Sequence, residues 1–306
     1  MIAGAYVEDQ SLWEVVEDHG ADPHVLRILA PAREDWLEIV AAVYRDLRTA
    51  AESVLSSVSL DGVEVLSTQA LGQRLISASV PVGNHPVRQF AVPRSDLAEV
   101  LLLEVMRKDF ASEHGYLSLR DRELVELPGR GIDLVGIEIL GEALPSDDAV
   151  QITSAPEGPT LVLLLGEAKT TTSTTCPPAV VDTNGDCLRE QHLHHLADLE
   201  ATGAKIVEAS RRCKDPRVRA AFLVADEMLR ARNFDILRVA STSLLLRPAG
   251  LGQSGDFGTF QASPEDYAPG VVRFVIFRLD SEDLEAVVDR FIELARAEAP
   301  SPGSES

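Results

Sequence analysis

The sequence predicts an α/β fold with a mainly helical N-terminal extension, on three observations. In residues 11–56 apolar side chains recur at three- and four-residue spacing, the period of an amphipathic helix. From residue 95 onward short apolar runs of strand length alternate with longer periodic segments, in the order helix, three strands, helix, strand. The hydrophobic fraction of 45% is that of an ordinary globular chain.

Leu12, Val15 and Val16 start a first helical stretch, and Trp36, Ile39, Val40, Val43 and Leu47 space a second. After a turn at Asp61-Gly62, Ile76, Ala78, Val80 and Val82 alternate with Ser77 and Ser79 as in a strand. Ser95 and Asp96 suit a helix start, and Leu97, Leu101, Leu102 and Val105 mark the buried face that follows. Strands are expected at 116–127, 131–140 and 160–168, with a Pro-, Asp- and Gly-rich loop between the last two. Leu188, Leu196, Leu199, Ile206 and Val207 mark a long helix weakened near Gly203, and another spans Arg217 to Arg232. Strands at 235–246 and 271–279 follow, and Ser281 caps a last helix carrying Leu284, Val287, Val288, Phe291 and Leu294. This divides the chain into an acidic, mainly helical region at 1–60, a main domain at 61–298 and a disordered tail at 299–306.

No apolar run approaches the roughly 20 residues that cross a bilayer. Glu8 and Asp9 stand where a secretory leader needs basic residues, and Cys176, Cys187 and Cys213 lack the spacing of a disulfide framework. A cytoplasmic protein is expected, with no membrane partner; self-association is left open. The net charge of −21 opposes binding to phosphate, yet it is unevenly spread. Residues 1–66 carry thirteen acids against four basic residues, whereas 205–247 carry ten basic residues against five acids.

The most informative segment lies between residues 129 and 172. Asp133 opens one apolar run, in Gly-Arg-Gly-Ile-Asp-Leu-Val-Gly, and Glu167 and Lys169 close another, in Leu-Gly-Glu-Ala-Lys-Thr. Residues i and i+2 of a strand share a face, so Glu167 and Lys169 project together while Ala168 turns into the core. If Asp133 comes from a neighbouring strand, the two carboxylates suit a hard divalent cation such as Mg²⁺, with Mn²⁺ as a substitute. Lys169 would then orient a water or steady charge on a phosphate.

An Asp followed by Glu-x-Lys on adjacent strands resembles the PD-(D/E)XK nuclease superfamily. The resemblance implies a core with the order αβββαβ, a central mixed sheet flanked by helices. It also implies an acid on the first core helix that completes the metal site, for which Glu99 and Glu104 are the candidates. Relatives of the RecB type carry Gln-x-x-x-Tyr on the helix after the Glu-x-Lys strand; here Gln191 fits as a substrate contact, and His195 takes the tyrosine position. Over residues 90–215 the Leu-Pro-Gly-Arg-Gly-Ile-Asp stretch and the Gly-Glu-Ala-Lys-Thr strand look most like the HamA nucleases of the Hachiman anti-phage defence system.

That likeness implies metal-dependent DNA cleavage beside a helicase subunit. The chain has no Gly-x-x-x-x-Gly-Lys-Ser/Thr of its own. The expected site is therefore Asp133, Glu167 and Lys169 for catalysis, with Asp133, Glu167 and Glu99 on the metal. Gln191 and the basic Arg211 and Arg212 would contact DNA. A different class, a non-catalytic DNA-binding or assembly subunit of the same fold, is the alternative. Cys187, His192 and His195 offer a further, zinc-binding alternative.

Overall fold

A computed structural model describes residues 11–49, 58–60, 63–81, 92–118, 131–146, 149–155, 158–183 and 185–297. The expected tail at 299–306 lies outside them. Seven strands form one mixed sheet: β1 (Trp13–Asp18), β2 (Val25–Pro31), β5 (Glu113–Leu117), β6 (Leu134–Ile139), β9 (Leu161–Thr170), β10 (Leu237–Arg247) and β11 (Val271–Arg278). Their order across the sheet is β1-β2-β11-β10-β9-β6-β5. β2, β11, β10 and β9 run parallel, and β1, β6 and β5 each pair antiparallel with their neighbours. Two hairpins stand apart, β3 (Val58–Leu60) with β4 (Val63–Leu66), and β7 (Ala143–Ser146) with β8 (Ala149–Ile152). The second fills the expected loop between β6 and β9.

One face of the sheet is covered by α1 (Trp36–Thr49), α3 (Val92–Asp109) and α9 (Leu284–Arg296), which share a core with Leu134, Leu164, Leu244, Val275 and Phe277. The other face carries α5 (Leu188–Ala197), α6 (Leu199–Arg212) and α7 (Pro216–Arg230), with the short α4 (Ala179–Asp182) and α8 (Thr259–Ala262). The order α3, β5, β6, β9, helices, β10 is the expected one. β9 and β11 are buried on both faces, which is why they read as nearly unbroken apolar runs. Among the described residues no helix is long and apolar enough to cross a membrane.

The N-terminal region differs from expectation. Residues 13–31 are not helical: they form β1 and β2, and β2 pairs with β11 inside the main sheet. β1 is an edge strand, so only Trp13 need be buried, against Phe277, while Val15 and Val16 lie exposed beside a bulge. The three-residue spacing of Leu12 and Val15 imitated a helix that the sheet edge overrides.

Of the strand expected around Ile76, Ala78, Val80 and Val82, residues 76–79 end a helix, α2 (Thr68–Ser79), and Val82 lies outside the described residues; the helix is capped by Ser67, whose hydroxyl accepts from the Ala70 amide at 3.2 Å. α3 begins at Val92, upstream of Ser95, and its expected face is buried together with Ala98, Val100 and Met106. Such all-round burial belongs to a helix enclosed between sheet and neighbours. The expected long helix breaks at Asp198, which caps α6 by accepting from the Ala201 amide. Gly203 lies within α6, where a Cβ would meet the Asp226 and Arg230 side chains of α7. Asp283, not Ser281, caps α9.

Candidate active site at the end of strand β9

Glu167 and Lys169 lie near the C-terminal end of β9, on the face opposite α3, and Ala168 packs into the core beneath as expected. β6 runs antiparallel to β9 with Leu134 opposite Gly166, so one step further Asp133 stands opposite Glu167. The Asp133 amide donates to the Gly166 carbonyl, and Asp133 Oδ2 accepts from the Ala168 amide at 2.9 Å. These bonds fix Asp133 to the backbone on either side of Glu167. Gly166 makes the junction possible. A Cβ there would lie 3.1 Å from Leu102 of α3 and 3.2 Å from Leu134.

Two carboxylates brought together in this setting repel each other. Glu167 is almost wholly buried, and burial pushes its pKa up to about 8 against the pull of Lys169. Asp133 keeps some open surface, yet it is walled in closely, so burial and the charge of Glu167 hold it well above the usual carboxylate range. His195 of α5 places Nε2 2.7 Å from Glu167 Oε1. Burial lowers His195 to about 4, so at neutral pH its ring is uncharged and the contact is a hydrogen bond, not an ion pair.

Lys169 and Gln191 meet a residue that sequence reasoning did not single out. The Lys169 ammonium donates to Asp186 Oδ2 at 3.1 Å and the Gln191 amide donates to Asp186 Oδ1 at 2.7 Å. Asp186 lies in the short loop before α5, five residues from Gln191. Nothing in that Gly-Asp-Cys stretch distinguishes it from a plain helix entry.

Glu99 reaches the group from α3. It is buried, accepts from the Ser118 hydroxyl at the end of β5, and lies close enough for its charge to raise Glu167. Glu104, the other candidate, is turned to Arg107 and Lys108 of its own helix. Arg211 and Arg212 end α6 beyond Ala209, which packs on Gly115 at the middle of β5, whereas Ser118 beside Glu99 follows the end of that strand. Arg212 pairs with Glu208 at 2.7 Å.

The zinc alternative finds no support in the geometry. His192 faces the Ser243 hydroxyl at 2.8 Å, His195 faces Glu167, and Cys187 caps α5 by accepting from the Glu190 amide. Among the described residues no three His, Cys, Asp or Glu side chains form a ready-made metal site. The pair of Asp133 and Glu167 nonetheless fits a cation, because two closely packed acids stay above the usual carboxylate range even beside the Lys169 ammonium, and further positive charge would let both ionise.

The chain after β9 is anchored by Arg247 at the end of β10. Its buried guanidinium pairs with Asp256 at 3.1 Å and donates to the carbonyls of Ser173 and Thr171. This ties the segment following Lys169 to the sheet. The chain matches no protein-family model, no curated protein and no solved structure.

Proposed function

We propose that the chain is a metal-dependent DNA endonuclease that hydrolyses phosphodiester bonds, working beside a helicase subunit in anti-phage defence. The observation that carries the reading is the placement of Asp133 opposite Glu167, with Lys169 on the same face, at the end of β9 in an αβββαβ order. Asp133 and Glu167 would hold Mg²⁺ or Mn²⁺, with Glu99 as the third acid; the bound ion supplies charge neutralisation at the phosphate and activation of a water. His195 holds one oxygen of Glu167 in place. Lys169 would donate to the attacking water or to a phosphate oxygen, and Gln191 to the substrate backbone. The defence role and the helicase rest on the resemblance of the Gly-Ile-Asp and Gly-Glu-Ala-Lys segments alone.

The test is plasmid DNA with Mg²⁺ or Mn²⁺, with and without EDTA, for the chain alone and together with the product of the neighbouring gene. Nicking that EDTA abolishes and that Glu167→Ala lacks supports the enzyme. One observation favours the other class, a non-catalytic DNA-binding or assembly subunit: the described acids do not converge as a ready three-ligand site. DNA binding without EDTA-sensitive cleavage in either arm would decide for it.

A further inference from the structure

We propose that Lys169 Nζ and Gln191 Nε2 form an anion subsite for a backbone phosphate of nucleic acid, and that the Asp186 carboxylate fills this subsite until a phosphate displaces it. The inference rests on the nuclease reading and adds what keeps its site closed. Two donors from different elements, strand β9 and helix α5, converge on the two oxygens of one carboxylate, at 3.1 and 2.7 Å. A phosphodiester also presents two anionic oxygens and one negative charge, so the exchange leaves the local charge unchanged.

The donors and the acceptor differ in how firmly they are held. The Lys169 side chain is 21% exposed, and the Gln191 Oε1 is buried without a hydrogen-bond partner. The Asp186 side chain is 80% exposed. An ion pair with so open a partner is weak and readily exchanged. Nor is Asp186 needed to start α5, because the next residue, Cys187, takes the capping position. Its carboxylate can therefore leave without unravelling the helix.

The experiment measures binding of a fluorescein-labelled DNA oligonucleotide by anisotropy in EDTA, with Glu167→Gln in every protein so that nothing is cut. Asp186→Asn should bind about two- to fivefold tighter, the range expected for losing one exposed ion pair that competes with the ligand. Adding Lys169→Met should remove the gain, and the melting temperature of Asp186→Asn should match its parent. Inorganic pyrophosphate as competitor separates a backbone phosphate from a free one: DNA must be the ligand whose affinity gains more.

Equal or weaker DNA binding by Asp186→Asn overturns the subsite. So does a loss of Mn²⁺ affinity when the same change is made in the otherwise native chain, since Asp186 would then be a metal ligand. If the native chain cleaves DNA but Asp186→Asn does not tighten binding, the subsite fails and the nuclease stands. If nothing cleaves but Asp186→Asn still tightens DNA binding, the nuclease fails and the subsite stands.

Discussion

Glu167 shows how a residue suited to chemistry costs stability. Its carboxyl and that of Asp133 bind protons more tightly in the folded chain than in the unfolded one, because burial raises both, with the charge of Glu167 adding to it at Asp133 and those of Glu99 and Asp186 at Glu167. Stability from such a pair is fully present below the unfolded pKa of 4.5 for Glu167 and is lost as pH rises toward its folded value of about 8. Glu167→Gln removes that penalty, so in EDTA it should melt higher than the native chain at the alkaline end, with the gap closing at the acidic end. Thermal scans across that range check it; a gap that does not change with pH would deny the coupling. The same variant, like Asp133→Ala, should abolish metal-dependent cleavage. Lys169→Ala should reduce turnover by about a hundredfold or more with a smaller loss of metal affinity, since an ammonium cannot ligate a cation. Calorimetry with Mn²⁺ beside single-turnover cleavage separates the two effects. The side-chain roles were legible where they followed from strand alternation: the shared face of Glu167 and Lys169, with Ala168 inward, needs only period two. The partners His195 and Asp186 were not, because their contacts with Glu167 and Lys169 depend on where α5 lands across the sheet.

At the scale of elements, the site depends on how closely α3 and β6 approach β9. Gly166→Val would drive a branched side chain into Leu102 and the Leu134 backbone, so it should destabilise by about 1–3 kcal/mol, read by urea unfolding. Removing the arginine of the Arg247–Asp256 pair should cost more. Both residues are essentially without solvent contact, and Arg247→Leu leaves a buried carboxylate unpaired, a loss of about 3–5 kcal/mol. An unfolding midpoint close to the native one would mean the end of β10 relaxes around the gap. Elements with two buried faces were the easiest to find in the sequence, β9, β10 and β11 among them. β1 was lost because an edge strand exposes Val15 and Val16 and keeps no alternation to read. α2 was lost because the alternation of Ile76, Ala78 and Val80 matched a strand, while the stronger local signal was Ser67 ahead of a run of good helix formers.

Over the whole molecule the question is how a chain of net charge −21 would engage a polyanion, as the proposed function requires. The basic excess at 205–247 is partly spent internally: Lys205 and Arg212 flank Glu208, Arg217 pairs with Asp215, Arg230 with Asp226 and Arg247 with Asp256. That local cancellation could not be seen in a count of charges along the sequence. Arg211 and Arg212 lie nine and ten residues along α6 from Thr202, whose hydroxyl donates to the His195 carbonyl. At 1.5 Å per residue that is about 13 to 15 Å, a reach of a few nucleotides from the acids and not of the scissile phosphate itself. Reversing both to Glu should therefore weaken DNA binding and flatten its salt dependence by about one or two in the log–log slope, with the cleavage step in the bound complex unchanged. The same reversal at Arg33 and Arg48 should leave affinity alone, since these lie on the other side of the sheet around α1. Binding titrations at several salt concentrations, paired with single-turnover cleavage at saturating protein, measure both. A fall in the cleavage step would place the α6 end nearer the acids than this helix allows. Equal effects from the two pairs would mean that the acidic chain responds only to its total charge, in which case the proposed helicase partner would have to bring the DNA, and adding it should restore binding to both variants.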